Sequence, residues 1–307
     1  MIDKSSLLMR TIRNRHDNAV WWWQQARVRR AVVQAFEAAS PLALDQQLTL
    51  EGDWPDPTDP SPVVMAACDE GYFHRFGHHL ALSSAAQSPE TRTHLHVYDP
   101  SDECRRAIDA LKIRCDGHLT VSIEGLDRNP YAKPKSFYYA SGRFAVASRM
   151  RKNIAAPILM IDADGLVANH LATGFDELKG VEAGFVLQPE NDALYRRILA
   201  SAIYLGTVGD KTAEFFTRLS DGIGLALAQG GHYHVDQIGI HYALEWCAAN
   251  GWGPQIHDLD LKWSDYLFRP ESLIWSTKGA RKGRYEELLA TVETLQAAIS
   301  ARPFQPR

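Results

Sequence analysis

Pro157-Ile158-Leu159-Met160-Ile161-Asp162-Ala163-Asp164-Gly165-Leu166-Val167 is the stretch that decides how the chain folds. Ile158 to Ile161 form an apolar run with no polar break, the pattern of a strand buried on both faces in a parallel sheet. The run stops at two aspartates one residue apart. Carboxylates so placed at a strand end can converge on one hard cation such as Mg²⁺ or Mn²⁺. Gly165 lets the chain turn there without a Cβ clash. A cation on Asp162 and Asp164 would bridge phosphate oxygens and neutralise a departing diphosphate. Asp and Gly are also ordinary turn residues, so the motif alone does not separate a site from a turn.

The flanking sequence supplies a regular frame. Residues 63–67 predict a first strand, leading into Cys68-Asp69-Glu70-Gly71-Tyr72-Phe73 and then Phe76, Leu80, Ser83 and Ser84 at helical spacing. Residues 95–99 predict a second strand, and Pro100-Ser101 starts a helix with Cys104, Ile108 and Leu111 on one face. Residues 119–123 alternate as a third strand, and a helix over 137–151 delivers the chain to the central strand. Beyond it, residues 183–187 and 202–205 are strands and 211–228 a helix. His234-Val235-Asp236-Gln237 opens another helix, and 273–275 is a last short strand. A C-terminal amphipathic helix carries Tyr285, Leu288, Leu289, Val292, Leu295 and Ile299. Strands alternating with helices predict an α/β fold, a mostly parallel sheet flanked by helices. Such sheets bind ligands beyond the carboxyl ends of their strands. Asp69 and Asp162–Asp164 stand at such ends and can face one cleft.

Residues 1–58 differ from the rest and read as an N-terminal helical extension and linker, with the α/β domain over 59–307. A helix over 18–36, capped by Asp17, puts Trp21, Val28, Val32 and Ala35 on one face and Arg27, Arg29 and Arg30 off it. Trp21, Trp22 and Trp23 cannot all share that stripe. One or two of the rings therefore pack on another part of the protein, on a partner, or on a membrane surface, where Trp and Arg occur together. Residues 53–62 hold four prolines and three aspartates and read as an entry loop. The content of 45% hydrophobic and 23% charged residues is that of a globular protein, and a net charge of -4 gives no electrostatic reason to expect nucleic acid. Four cysteines without a CxxC pair argue against a disulfide framework and fit a reducing compartment. No apolar signal core or membrane span is visible, so a cytoplasmic location is expected.

Several segments together resemble the GT-A-fold glycosyltransferases, closest to the family-eight retaining type that uses a DxD motif. Cys68-Asp69-Glu70-Gly71-Tyr72 stands where that family holds the nucleobase. Tyr139-Ala140-Ser141-Gly142-Arg143-Phe144 matches its Arg-bearing segment, Ile161-Asp162-Ala163-Asp164 its DxD, and Asp236-Gln237 its Asp-Gln at the sugar. The resemblance spans residues 60 to 285. It implies a nucleotide-sugar donor, a UDP-sugar by type, and a glycan, lipid or protein acceptor. Asp236 and Gln237 would be catalytic, and Mn²⁺ or Mg²⁺ would sit on Asp162 and Asp164 across Ala163. Asp69, Tyr72 and Arg143 would bind the donor. The family's C-terminal His ligand is absent from Trp275-Ser276-Thr277-Lys278-Gly279-Ala280-Arg281-Lys282. Either His257 or Asp258 replaces it, or the metal is held weakly, or Lys278, Arg281 and Lys282 supply part of its charge.

Two other readings share parts of this pattern. An apolar strand before Asp-x-Asp-Gly is also the signature of haloacid-dehalogenase-type phosphatases, in which the first Asp is the nucleophile. That signature normally opens its domain, whereas 161 residues precede it here. The other reading is a catalytically degenerate binding module of the transferase fold. His94-Leu95-His96 and His232-Tyr233-His234 alternate as zinc ligands can, yet no further ligand stands at a fixed spacing.

Overall fold

The computed structural model describes residues 22–129, 135–207, 209–231 and 234–277, with Tyr285, Glu287 and Ala290. Ten strands are present among them: β1 (Leu50–Gly52), β2 (Val63–Asp69), β3 (Arg92–Tyr98), β4 (Leu119–Glu124), β5 (Ile158–Ile161), β6 (Gly165–Val167), β7 (Ala183–Leu187), β8 (Ile198–Leu205), β9 (Ile256–Asp258) and β10 (Ile274–Ser276). Eight make one sheet in the order β1-β4-β3-β2-β5-β8-β7-β9, and β10 pairs with β6. The block β4-β3-β2-β5 is parallel. β8 runs antiparallel to both its neighbours, β5 and β7.

Alternation along the central strands splits the core into two layers. Val63 and Met65 of β2, with Ile158 and Met160 of β5, face one layer. Helices Arg143–Asn153, Asp210–Ala228 and Val235–Asn250 supply that layer with Phe144, Phe215 and Ile238. Val64, Ala66, Leu159 and Ile161 face the other, toward Leu80 of the helix His78–Gln87 and Ile108 of the helix Asp102–Arg114. Period-two side chains on strands buried from both sides produce this division.

The N-terminal helix, residues 22–37, belongs to the first layer. Val28, Ala31, Val32 and Ala35 are fully buried, and burying side chains the size of Val28 and Val32 contributes about 1.5–3 kcal/mol each. A Cβ on Gly222 would stand 2.9 Å from Val32 Cα, so this helix crosses Asp210–Ala228 closely only because glycine is there. Trp22 and Trp23 do not enter the core, and Trp21 lies outside the described residues. β1 joins the sheet antiparallel to β4, so the sheet already begins within residues 1–58. The linker segment lies against the sheet: Trp54 stacks on His94 at 5.1 Å, and Asp59 pairs with Arg92 at 3.1 Å.

Several elements differ from expectation. β1, β6 and β9 have three residues each, too few for an alternation to register. β8 begins four residues before the predicted start, at Ile198. The helix expected over 137–151 is two helices, Lys135–Ser141 and Arg143–Asn153, broken at Gly142. A Cβ there would meet Tyr138 at 2.6 Å and the Tyr98 hydroxyl at 2.8 Å, so the break lets two tyrosine rings close on the backbone.

His94 and His96 are hydrogen-bonded rather than gathered around a third ligand. His94 meets Thr120 Oγ1 and Ser122 Oγ, each at 2.9 Å; His96 meets Ser122 Oγ at 2.8 Å and Glu124 at 3.2 Å. Burial, then the neighbouring His96, holds the His94 pKa down to about 3. The folded protein therefore keeps His94 neutral while the unfolded chain takes up a proton below about pH 6.5. The unfolded state binds more protons between those values, so stability falls as the pH drops. From pH 7 to pH 5 His94 alone removes about 2 kcal/mol. Urea unfolding at both pH values should show this loss in the wild type, and His94→Gln should lack that share of it.

Candidate functional site

The parallel register decides what meets at the sheet's end. Val63 pairs with Ile158 and Met65 with Met160. The carboxyl ends of β2 and β5 therefore lie side by side, and Asp69 comes beside the Asp162-Ala163-Asp164 turn. A cavity of about 430 Å³ opens there. Its floor is Ala67, Cys68 and Asp69 with residues 162–164, and one wall is Phe137, Tyr139, Ala140 and Ser141. Arg143, His234 and Asp236 close the far side, and Tyr72 stands at the edge, 40% exposed.

Each side chain is placed by local chemistry. Asp69 caps the turn Glu70–Tyr72, its Oδ1 accepting from the Tyr72 N–H at 2.8 Å. A π-helical turn, Phe73–Gly77, follows and sets Tyr72 against Phe76 at 5.1 Å. The Asp162 carbonyl accepts from the Gly165 N–H at 3.0 Å, so the two aspartates flank a tight turn between β5 and β6. The Asp164 carbonyl accepts from Thr277 N–H at 3.3 Å and Thr277 Oγ1 at 3.0 Å, which ties the turn to the segment after β10.

Arg143 is the cation at the centre. Its guanidinium donates to Asp162 Oδ1, to Asp236 Oδ2 at 3.4 Å and to the Ala200 carbonyl at 2.9 Å. Burial disfavours its charge, but Asp162 and Asp236 outweigh that and hold its pKa above the usual arginine value. Tyr139 stacks on Tyr98 at 5.5 Å, and burial, then Asp69 and Asp99, raises its pKa. The wall bearing Tyr139 is anchored from behind, where Tyr138 donates to Glu124 at 3.1 Å.

Most of the residues expected at the site meet here: Asp69, Tyr72, Arg143, Asp162, Ala163, Asp164 and Asp236. Gln237 does not line the cavity. Its Nε2 donates to the Ile198 carbonyl at 2.9 Å, leaving Oε1 to accept from His234 Nδ1 at 2.6 Å. That bond puts the proton of neutral His234 on Nδ1 and makes Nε2 the accepting nitrogen. His234 also has φ 61° and stacks on Tyr195 at 4.5 Å. His257 lies on the edge strand β9, exposed, and three strands from β5 is roughly 14 Å. The antiparallel insertion of β8 and β7 between the two strands carries it away from the aspartates. Lys278, Arg281 and Lys282 lie outside the described residues. His234, Tyr139 and Phe137 are cavity residues that sequence reasoning did not assign to the site. Tyr139 stands in the same segment as Arg143 and His234 two residues before Asp236, and these proximities were the usable signals.

Asp69, Asp162, Asp164 and Asp236 set four carboxylates against one guanidinium among the described lining residues. This hard oxygen donor set suits Mg²⁺ or Mn²⁺. Among the described residues no group of three His, Cys, Asp or Glu could hold a metal ion. Two protein carboxylates completed by phosphate and water are the usual arrangement for Mg²⁺.

Similar folds occur among solved structures. WbbM, a bifunctional glycosyltransferase, matches 78% of this chain and 51% of its own length, with a TM-score of 0.53 and 12% identity. The glycosyltransferase GlyE of Streptococcus pneumoniae matches 77% of this chain and 62% of its own, with a TM-score of 0.52 and 13% identity. The chain has the GT-A glycosyltransferase fold. It spans about half of WbbM and under two thirds of GlyE. No protein-family profile and no curated protein matches the sequence.

Removing Arg143 leaves Asp162 and Asp236 facing each other without a cation. Arg143→Met should therefore destabilise the fold by about 3–5 kcal/mol, the usual cost of breaking a buried pair from one side. Chemical denaturation measures it. A loss under about 1 kcal/mol would mean that the network does not hold the site together.

Proposed function

We propose that the protein is a glycosyltransferase that moves a sugar from a nucleoside-diphosphate donor, of the UDP-sugar type, to a hydroxyl acceptor. The observation that carries this reading is the meeting of Asp162, Asp164, Arg143 and Asp236 in one cavity at the carboxyl ends of β2 and β5. Tyr72 offers an exposed ring for a nucleobase to stack on, and Asp69 a carboxylate to accept from it. Asp162 and Asp164 would hold the divalent ion, which supplies charge neutralisation at the diphosphate. Lys278, Arg281 and Lys282 follow Thr277 in sequence and keep the role of phosphate-binding cations in this reading.

Breaking the sugar–phosphate bond leaves negative charge on the diphosphate and positive charge at the anomeric carbon. Asp236, fixed by Arg143, stabilises the positive centre. The acceptor oxygen bonds to that carbon as the phosphate leaves, and the acceptor's proton passes to a phosphate oxygen, so no protein base is needed. Attack from the leaving-group face gives retention, as the resemblance implies. Gln237 acts through His234, holding that ring in the Nδ1–H form at the cavity wall. A dehalogenase-type phosphatase needs Asp162 as a nucleophile, whereas Arg143 occupies one of its oxygens.

Thermal-shift measurements with UDP and Mn²⁺ test the reading. A ligand at about 100 times its Kd stabilises the native state by about 2.7 kcal/mol, which moves the melting temperature by several degrees. UDP with Mn²⁺ should give this shift. Asp164→Ala should lose its metal-dependent part while folding normally. Full Mn²⁺-dependent binding by that variant would remove Asp164 from the metal site. No binding of UDP or Mn²⁺ by the wild type would favour the degenerate binding module.

A further inference from the structure

The outer face of the N-terminal helix serves neither the core nor the cavity. Over residues 22–37 the inward positions are Gln24, Val28, Ala31, Val32, Ala35 and Phe36, all buried. Helical periodicity puts Trp22, Trp23, Arg30 and Val33 on the opposite side, with Arg29 at its margin. Trp22 and Trp23 are 63% and 66% exposed, with their rings edge to face at 5.4 Å. Arg29 and Arg30 are exposed too, and the Arg29 guanidinium lies 5.8 Å from the Tyr242 ring. Trp22, Arg29, Arg30, Val33 and Tyr242 line one shallow groove. Two adjacent indoles turned to solvent mark a contact surface.

Charge identifies the partner. The described helix, residues 22–37, holds three arginines, Arg27, Arg29 and Arg30, against one acid, Glu37, a surplus of two positive charges on a chain whose net charge is -4. A second copy docking through the same face would set Arg29 and Arg30 against themselves. A long polyanion would run from the basic patch onto an acidic remainder. A bilayer surface meets only the face presented to it. Indoles suit the headgroup level, and arginines beside them suit lipid phosphates.

We propose that this face docks the protein on an anionic bilayer, with Trp22 and Trp23 inserted at the headgroup level and Arg29 and Arg30 on lipid phosphates. The helix would lie in the interface plane, as amphipathic interfacial helices do. Its inner face is locked to Asp210–Ala228 at Gly222, so docking fixes the whole body and not a loose arm. The helix Val235–Asn250 carries Tyr242 in the groove and Asp236 in the cavity, six residues or about 9 Å apart along its axis. Docking therefore holds the cavity at a set height above the lipid. This inference does not depend on the chemistry proposed for the cavity.

The test is sedimentation of the full chain with vesicles of phosphatidylcholine alone and of phosphatidylcholine with phosphatidylglycerol, at low and high salt. Wild-type protein should bind the phosphatidylglycerol vesicles, and less so as salt rises. The pairs Trp22→Ala with Trp23→Ala, and Arg29→Glu with Arg30→Glu, should each weaken binding about tenfold or more. Both should melt at the wild-type temperature, because these side chains face away from the core. No wild-type binding, equal binding to neutral vesicles, or variants that bind like the wild type would each overturn the proposal. Self-association or polynucleotide binding abolished by the same pairs, in a chain that ignores vesicles, would reassign the face to those partners.

Discussion

The buried guanidinium of Arg143 is the constraint that the rest of the structure serves. It stays charged under burial because two carboxylates reach it from different parts of the chain, Asp162 at the end of β5 and Asp236 at the start of the helix Val235–Asn250. The Ala200 carbonyl of β8 takes a further donor. Three elements are thereby set in one relation by a planar group whose donors have fixed directions. A buried charge is tolerable only with all its partners present, so such a network favours one arrangement over near alternatives. The cavity is thus bounded by a buried charged network and is not merely an opening left between packed elements.

Much of the fold could be read from local pattern. Ile158 to Ile161 and residues 183–187 announce buried strands because nothing polar interrupts them, and Val28, Val32 and Ala35 announce the buried helix face by spacing. Pattern fails where an element is too short or where a distant contact sets its shape. β9 carries no periodic signal in three residues. The break at Gly142 depends on Tyr98, which no local rule brings to that backbone.

The site divides along the same line. Asp69, Asp162 and Asp164 were legible because strand ends in parallel sheets point to one side, and Asp236 because its helix starts there. Beyond its closeness to Asp236, His234 was not legible as a cavity residue. Its ring is held by Gln237, whose amide is oriented by the Ile198 carbonyl, a contact between distant segments. His257 stands apart from the aspartates for a topological reason. The sequence does not say that β8 enters antiparallel beside β5, and that choice sends the later strand to the far edge.

The sheet ends on both sides in strands of three residues, β1 and β9, each partly or fully exposed along its length. A long bare margin on eight hydrogen-bonded strands would invite another chain to add itself, the route to fibrils. Three residues offer little purchase for such growth, and Gly52, at φ 99°, leaves the extended conformation at the end of the outermost strand. A broad, strongly apolar sheet thus meets solvent at its two margins only through edges too short to template another strand well.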